Sequence, residues 1–256
     1  MRNGVAISTF NRPDFLDITL WHWNKYSSEN TDIYVIDDGS NKKQENEEVC
    51  QKYPRIKLIY QENQGISKTK TRGLSELKNH DYIFLSDDDC FPIKYNYEDV
   101  FIKYHLSSNN HHFIYLIDRI REHVIHGDKH EVFPGIESYQ NCGGMLLFAT
   151  KHCVNTVGGF DNRMKFYGYE HAQWTSKVFS SGLNPHGKHL CPTEALDYFF
   201  TIDFHRGWLG MTPEYWNPDI VMQSSITTTD EKKNSYLDSI SYNSQYMNDL
   251  NFYTPL

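Results

Sequence analysis

A chain of 256 residues, 39% hydrophobic and 15% aromatic, has the apolar content for one large domain or two closely joined lobes, which excludes a disordered protein. Its formal charge of −8 argues against a broad nucleic-acid-binding face, although a local basic groove is compatible with an acidic body. No basic-then-apolar leader opens the chain and no apolar run approaches the ~20 residues of a membrane span, so a soluble, cytoplasmic protein is expected.

The first ninety residues alternate short apolar runs with amphipathic ones. "GVAIST" (4–9) predicts a strand, and "NRPDFLDITLWHWNKY" (11–26) a helix with Pro13 in its first turn, where a missing N–H costs nothing. "DIYVIDDGS" (32–40) predicts a second strand, the charged "KKQENEEVCQKY" a helix, and "RIKLIY" (55–60) a third strand. "GISKTKTRGLSELKN" (65–79) follows as a helix and "DYIFLS" (81–86) as a fourth strand. Such alternation implies right-handed crossovers and a mostly parallel sheet. Ligands of such sheets bind outside the carboxyl ends of the strands. The polar clusters "STFN", "DDGS", "QENQG" and "DDDC" all fall there, so four loops share one edge.

Beyond Pro92 the pattern loosens. A helix, a strand in "HHFIYLIDRI" and a His-rich polar stretch are expected up to 135, and a strand begun by glycines in "NCGGMLLFAT" (141–150). Residues 158–183 read as a turn, a loop and a helix with Trp174 and Val178 at i, i+4. "ALDYFFTIDFH" (195–205) predicts another strand, and the tail from about Thr212 is polar and aperiodic. The five cysteines (Cys50, Cys90, Cys142, Cys153, Cys191) are widely spaced without a CxxC pair, so they make neither a disulfide framework nor a zinc motif.

Asp87, Asp88 and Asp89 stand together at the end of the fourth strand. Adjacent carboxylates repel and raise one another's pKa unless something positive lies between them. A divalent cation, a basic partner or a plain solvated turn would each answer the problem.

The stretches "ISTFNRPDFLDITL", "YVIDDGSN", "NQGISKTKTRGL" and "FLSDDDCFP" resemble the successive signatures of family 2 nucleotide-sugar glycosyltransferases with the GT-A fold. "CGGMLLFATKHCVNTVGGFDNRMKFYGYEHAQWTSKVFSSGL" resembles the acceptor-side segment shared with β-1,4-galactosyltransferases and polypeptide N-acetylgalactosaminyltransferases. The resemblance covers 4–92 and 141–183, with a weaker extension to 205. It implies an α/β fold with a donor-binding half over 1–92, an acceptor-binding and catalytic half over 93–211, and a polar extension over 212–256 packed on or near the site.

What it implies for single residues follows the chemistry of a diphosphate leaving group. A hard divalent ion, Mn2+ or Mg2+, needs only one or two protein carboxylates because phosphate oxygens complete its shell. Asp89 is the expected metal ligand and Asp87 its partner, with Asp88 turned away or on the ribose. Asp38, second of the Asp37–Asp38 pair, is expected on the nucleobase, or in an Asx-type turn with Gly39. Ser8, Phe10 and Asn11 would line the base pocket, Phe10 being equally at home in a core. Lys68 and Arg72, i and i+4 at a helix start, would share a face toward the diphosphate while Lys70 faces elsewhere. Gly143 and Gly144 would let backbone approach the donor sugar.

"GYEH" places Glu170–His171 where relatives carry an acid pair, so a histidine stands at the usual position of the base. Glu170 or His171 would deprotonate the acceptor for an inverting displacement; a retaining enzyme in which Glu170 only orients the acceptor is the alternative. His205, in "DFHRG", follows at an offset comparable to that of a metal-ligating histidine in the galactosyl- and N-acetylgalactosaminyltransferases. The expected activity is sugar transfer, UDP-sugar favoured, to a glycan acceptor. A phage DNA-modifying enzyme acting on a hydroxymethylated pyrimidine and a non-catalytic nucleotide-sugar-binding module are the other readings. A nucleotidyltransferase would carry a glycine-rich loop after the first strand, and "STFNRPDF" has none.

Overall fold

The computed structural model describes residues 1–115, 128–140, 143–164, 168–201 and 244–256. Strands β1 (Asn3–Thr9), β2 (Thr31–Asp37), β3 (Ile56–Tyr60) and β4 (Tyr82–Asp87) form in chain order, joined by helices α1 (Pro13–Tyr26), α2 (Lys43–Gln51) and α3 (Ile66–Leu77). After them come β5 (Cys90–Pro92), α4 (Tyr97–Ser108), β6 (His112–Ile114), β7 (Lys129–Phe133), β8 (Ile136–Tyr139) and β9 (Leu146–Thr150). Helices α5 (Lys151–Val157) and α6 (Glu170–Ser180), strand β10 (Leu190–Pro192), a 3-10 turn over Thr193–Asp197 and β11 (Phe199–Thr201) complete the described elements.

The main sheet has six strands in the order β3-β2-β1-β4-β9-β6. β1 runs parallel to both neighbours, every residue of it is buried, and β2 pairs with β3 in the same sense. β9 is antiparallel to β4 and β6, so the second half of the chain completes the sheet begun by the first. Helices cover both faces. On one side Leu16, Leu20 and Trp23 of α1 and Phe101 of α4 pack on Val5, Ile7, Phe84 and Phe148. On the other, Leu74 and Leu77 of α3 and Trp174 and Val178 of α6 pack on Ala6, Ile36, Ile83 and Leu147. A sheet covered twice explains why its central strands read as continuous apolar runs.

Of the strand expected at 195–205, the described part, to 201, is the end of a 3-10 turn followed by three residues of β11 that pair with β5, and 202–205 lie outside the described residues. The β7–β8 hairpin, extended by β10, is a small separate sheet that the pattern did not announce. Among the described residues no helix is long and apolar enough to cross a membrane.

Candidate active site

At the carboxyl edge of the sheet lies a cleft of about 340 Å³ lined by Ser8, Thr9, Phe10, Arg12, Asp38, Asn63, Gly65, Ile66, Thr69 and the triplet Asp87–Asp89. Three of the four strand-end loops supply Asp38, Asn63–Gly65 and the triplet, and the first supplies Ser8–Phe10 and Arg12. Phe10 is 44% exposed, which makes it a wall of the cleft rather than part of the core.

The two aspartates at the end of β2 have different jobs. Asp37 is fully buried and closes the turn, accepting from Ser40 N at 2.9 Å and from Asn46 Nδ2 at 2.8 Å. The Asx-type turn thus belongs to Asp37. Asp38 reaches across to the loop after β3, where Oδ1 accepts from Gln61 Nε2 (2.7 Å) and Gln64 N (3.0 Å) and Oδ2 from Gly65 N (2.8 Å). It fixes the loop that opens α3. Asn11, with φ of 59°, ties the first loop to the second: its N–H donates to Ser40 Oγ and its Oδ1 accepts from Asn41 N, both at 2.7 Å.

The acid triplet is compensated by two cations of the chain itself. Arg12 Nη1 lies 3.0 Å from Asp88 Oδ1 and 3.0 Å from Asp89 Oδ2, with its guanidinium over the Phe15 ring. Asp88 is further held by Thr9 Oγ1, which donates to Oδ2 at 2.7 Å, while Thr19 Oγ1 donates to its carbonyl at 2.6 Å. Lys70 is the second cation. Its side chain is 1% exposed, and Nζ donates to Gly144 O at 3.0 Å and to Glu170 Oε1 at 3.3 Å while lying 3.3 Å from Asp87 Oδ1.

One ammonium between a partly exposed carboxylate, Asp87, and a buried one, Glu170, divides them. Burial and the charge of Glu170 push Asp87 above the usual carboxylate range against the pull of Lys70. Burial also opposes ionisation of Glu170, but Lys70 and His171 outweigh it and hold that carboxyl well below the usual range. Lys70 itself is raised, because Asp87 and Glu170 overcome the cost of burying its charge. Glu170 starts α6, where the helix dipole favours an anion. Its Oε2 is buried and accepts no hydrogen bond among the described residues, so the carboxylate keeps an acceptor in reserve. His171 Nδ1 lies 3.2 Å from Oε1.

The glycosyl transferase family 2 model matches residues 4–164. The chain belongs to that family. A cholesterol galactosyltransferase of Borreliella burgdorferi is 32% identical over 87 residues, which are 33% of this chain and 24% of that protein. Among solved structures, the mannosyltransferase PcManGT from Pyrobaculum calidifontis in complex with GDP-Man and Mn2+ matches with TM-score 0.57 and 12% identity, covering 72% of this chain and 53% of that one. S. aureus TarS 1–349 in complex with UDP matches with TM-score 0.57 and 13% identity over 78% and 60% of the two chains. GalNAc-T7 with UDP, GalNAc and Mn2+ gives 0.57 and 15% over 74% and 42%. The chain therefore spans only part of the length of each of these relatives. Their shared architecture is the GT-A fold of glycosyltransferases.

Set on this family 2 framework, Ser8, Phe10, Asp38, Asp87, Asp88 and Asp89 meet in one cleft, Asn11 buttresses it, and Glu170 and His171 meet beyond Lys70. The basic face of α3 needs correction. Arg72 is exposed and pairs with Glu76 at 2.8 Å, and neither it nor Lys68 lines the cleft. Lys70, expected to face elsewhere, is the cation at the centre. Gly144 serves a nearer neighbour than a sugar: a Cβ there would lie 2.4 Å from His171 Nδ1. Gly143, beside it, is buried. His205 lies outside the described residues.

The triplet suits a hard cation in donor chemistry, being carboxylate oxygens on the cleft wall. Among the described residues no group of three or more His, Cys, Asp or Glu converges on a metal position. Any ion there would need oxygens from water or a ligand to complete its shell. Arg12 and Thr9 were missed by sequence reasoning because their partners lie 77 and 79 positions away.

Proposed function

We propose that the protein transfers a sugar from a nucleotide donor, UDP-linked in preference, to an acceptor hydroxyl of a glycan, with inversion. The observation that carries this reading is the cleft itself, whose wall brings together the Asp38 carboxylate, the start of α3 and the acid triplet. Asp38 uses three of the roughly four acceptor positions of a carboxylate on its own loop, leaving one for an imide N–H such as that of uracil. The N-terminus of α3, opened by Gly65 at φ 87°, borders the cleft and favours an anion. Asp89, with Asp87, would hold Mn2+ or Mg2+, whose positive charge would neutralise the departing diphosphate.

The acceptor oxygen bonds to the anomeric carbon as the bond from that carbon to the diphosphate oxygen breaks, and the electron pair leaves with the diphosphate. The acceptor proton passes to Glu170, whose Oε2 is the unengaged acceptor. A carboxylate held well below its usual range is a weak base, but it is always ionised. The hydroxyl becomes acidic as its oxygen takes on the new bond, so a weak base suffices late in the step. Lys70 fixes Glu170 relative to Asp87, tying the acceptor side to the donor side.

Screening UDP- and GDP-sugars with Mn2+ for nucleotide release tests the proposal. One donor should be turned over, and Glu170→Gln should lower its transfer by about 10²-fold or more while donor affinity stays unchanged. Absence of release and of any thermal stabilisation by every donor would reduce the protein to something other than a transferase.

A further inference from the structure

Residues 244–256 fold back against the segment between α5 and α6 and the first turn of α6, with one arginine at the centre of the contact. Arg163, in the segment between α5 and α6, donates from Nε to Asp161 Oδ1 at 2.9 Å and from Nη2 to Asp249 Oδ2 at 2.9 Å. Its guanidinium lies 4.6 Å from the centre of the Tyr246 ring and 3.9 Å from that of Phe252. Asp161 is fully buried, so the pair is anchored in the body of the protein. Planar stacking combined with forked pairing is what a guanidinium does and an ammonium cannot.

Two further contacts fix the direction of the tail. Gln173, in the first turn of α6, donates from Nε2 to Asp249 O at 2.9 Å. Gly159 N donates to Thr254 O at 2.8 Å, and the two residues form an antiparallel bridge. Gly158, at φ 72°, leaves the room: a Cβ there would lie 2.5 Å from Thr254 O. Helix α6 needs holding from outside, because Tyr169, just before Glu170, has φ of 68°, a strained conformation for a bulky residue that persists only under tertiary constraint.

We propose that residues 244–256 are a clamp that fixes the start of α6 and so places Glu170, with Arg163 and Asp249 as positioning residues. The placement of a catalytic role on Glu170 rests on the function proposed above; the clamp rests on the contacts alone. Misplacement of a reacting group by about 1 Å costs on the order of 10²-fold in rate, so the clamp has a kinetic consequence.

The test uses the full chain with Arg163→Ala, Asp249→Ala and Gly158→Val, read by amide hydrogen exchange over 168–173, by titration with UDP and Mn2+, and by nucleotide release. Exchange over 168–173 should quicken about tenfold or more and kcat fall by a similar factor. Donor KM and UDP affinity should hold, since no residue of 244–256 is among those lining the cleft proposed for the nucleotide. Asp249 is the milder site, its side chain being 43% exposed, and it carries the test if Arg163→Ala does not fold. Unchanged exchange over 168–173 in Asp249→Ala and Gly158→Val overturns the clamp. Faster exchange with undiminished kcat upholds the clamp and removes Glu170 from the chemistry.

Discussion

Replacing Lys70 by methionine keeps an unbranched side chain, one atom shorter, and removes the charge together with its hydrogen-bond donors. In the native protein Nζ lies 3.3 Å from the buried carboxylate of Glu170, 3.3 Å from that of Asp87, which is 28% exposed, and 3.0 Å from Gly144 O. At an effective dielectric of about 20, each of those ion pairs is worth about 5 kcal/mol of Coulomb attraction. Most of it offsets the cost of taking three charges out of water. Removing the one cation leaves that cost standing, and breaking a buried pair in this way destabilises by about 3–5 kcal/mol. For a chain of this size the melting temperature should fall by roughly 6 to 20 °C. Urea denaturation of Lys70→Met at neutral pH measures the loss. The double variant Lys70→Met/Glu170→Gln should recover part of it, because the neutral amide no longer needs a counter-ion. A Lys70→Met protein within about 1 kcal/mol of wild type, or no recovery in the double variant, would refute the reasoning.

Two further outcomes follow from the same electrostatics. Arg12→Gln should lower the melting temperature without metal, yet enlarge the gain produced by Mn2+, because it removes the guanidinium paired with Asp88 and Asp89; equal Mn2+ gains in both proteins would contradict this. Burial lowers His112 to about 4, its Nδ1 donating to Phe148 O at 2.7 Å and its Nε2 accepting from Thr175 Oγ1 at 2.9 Å. Burial and Lys188 likewise lower His189 to about 4. The unfolded chain then takes up protons below about pH 6.5 that the folded chain refuses, so stability is full above that pH and declines toward pH 4. Between pH 7.5 and 5.5 His112 alone should account for about 1 kcal/mol of loss in urea titrations, with its imidazole still neutral by NMR; flat stability, or a His112 that titrates near 6.5, would contradict the burial argument.

The parallel half of the sheet was legible because a strand covered on both faces must be apolar along its middle, as β1 and β4 are. The edge that carries the site followed from the same logic, since polar residues that cannot lie within such strands collect at their ends. Lys70 was not legible. It belongs to the stripe with Gly73, Leu74 and Leu77 that faces the sheet, all of them buried, at helical spacing of three, four and seven. The i, i+4 pair Lys68 and Arg72 was read as the face toward the diphosphate, and that pairing turned Lys70 away. The spacing of Lys70 to the buried residues of α3 was the better guide. The β7–β8 hairpin escaped because its strands are short and its charged residues remain partly or fully exposed, which leaves no apolar alternation to read. Arg163 and its stacked rings were beyond reach for another reason: what makes them a unit is the return of the chain's last residues, and no local pattern records that.

The central claim is that the cleft between Asp38 and the acid triplet takes a sugar nucleotide with a divalent ion. Calorimetric titration of UDP into the wild-type protein and into Asp89→Ala, each with and without Mn2+, addresses it most directly. Wild type should bind UDP more tightly by about tenfold or more when Mn2+ is present, and Asp89→Ala should lose that gain while keeping the metal-free affinity. A wild-type protein that binds UDP with neither strength nor metal response, or an Asp89→Ala protein that responds to Mn2+ as wild type does, would contradict the account.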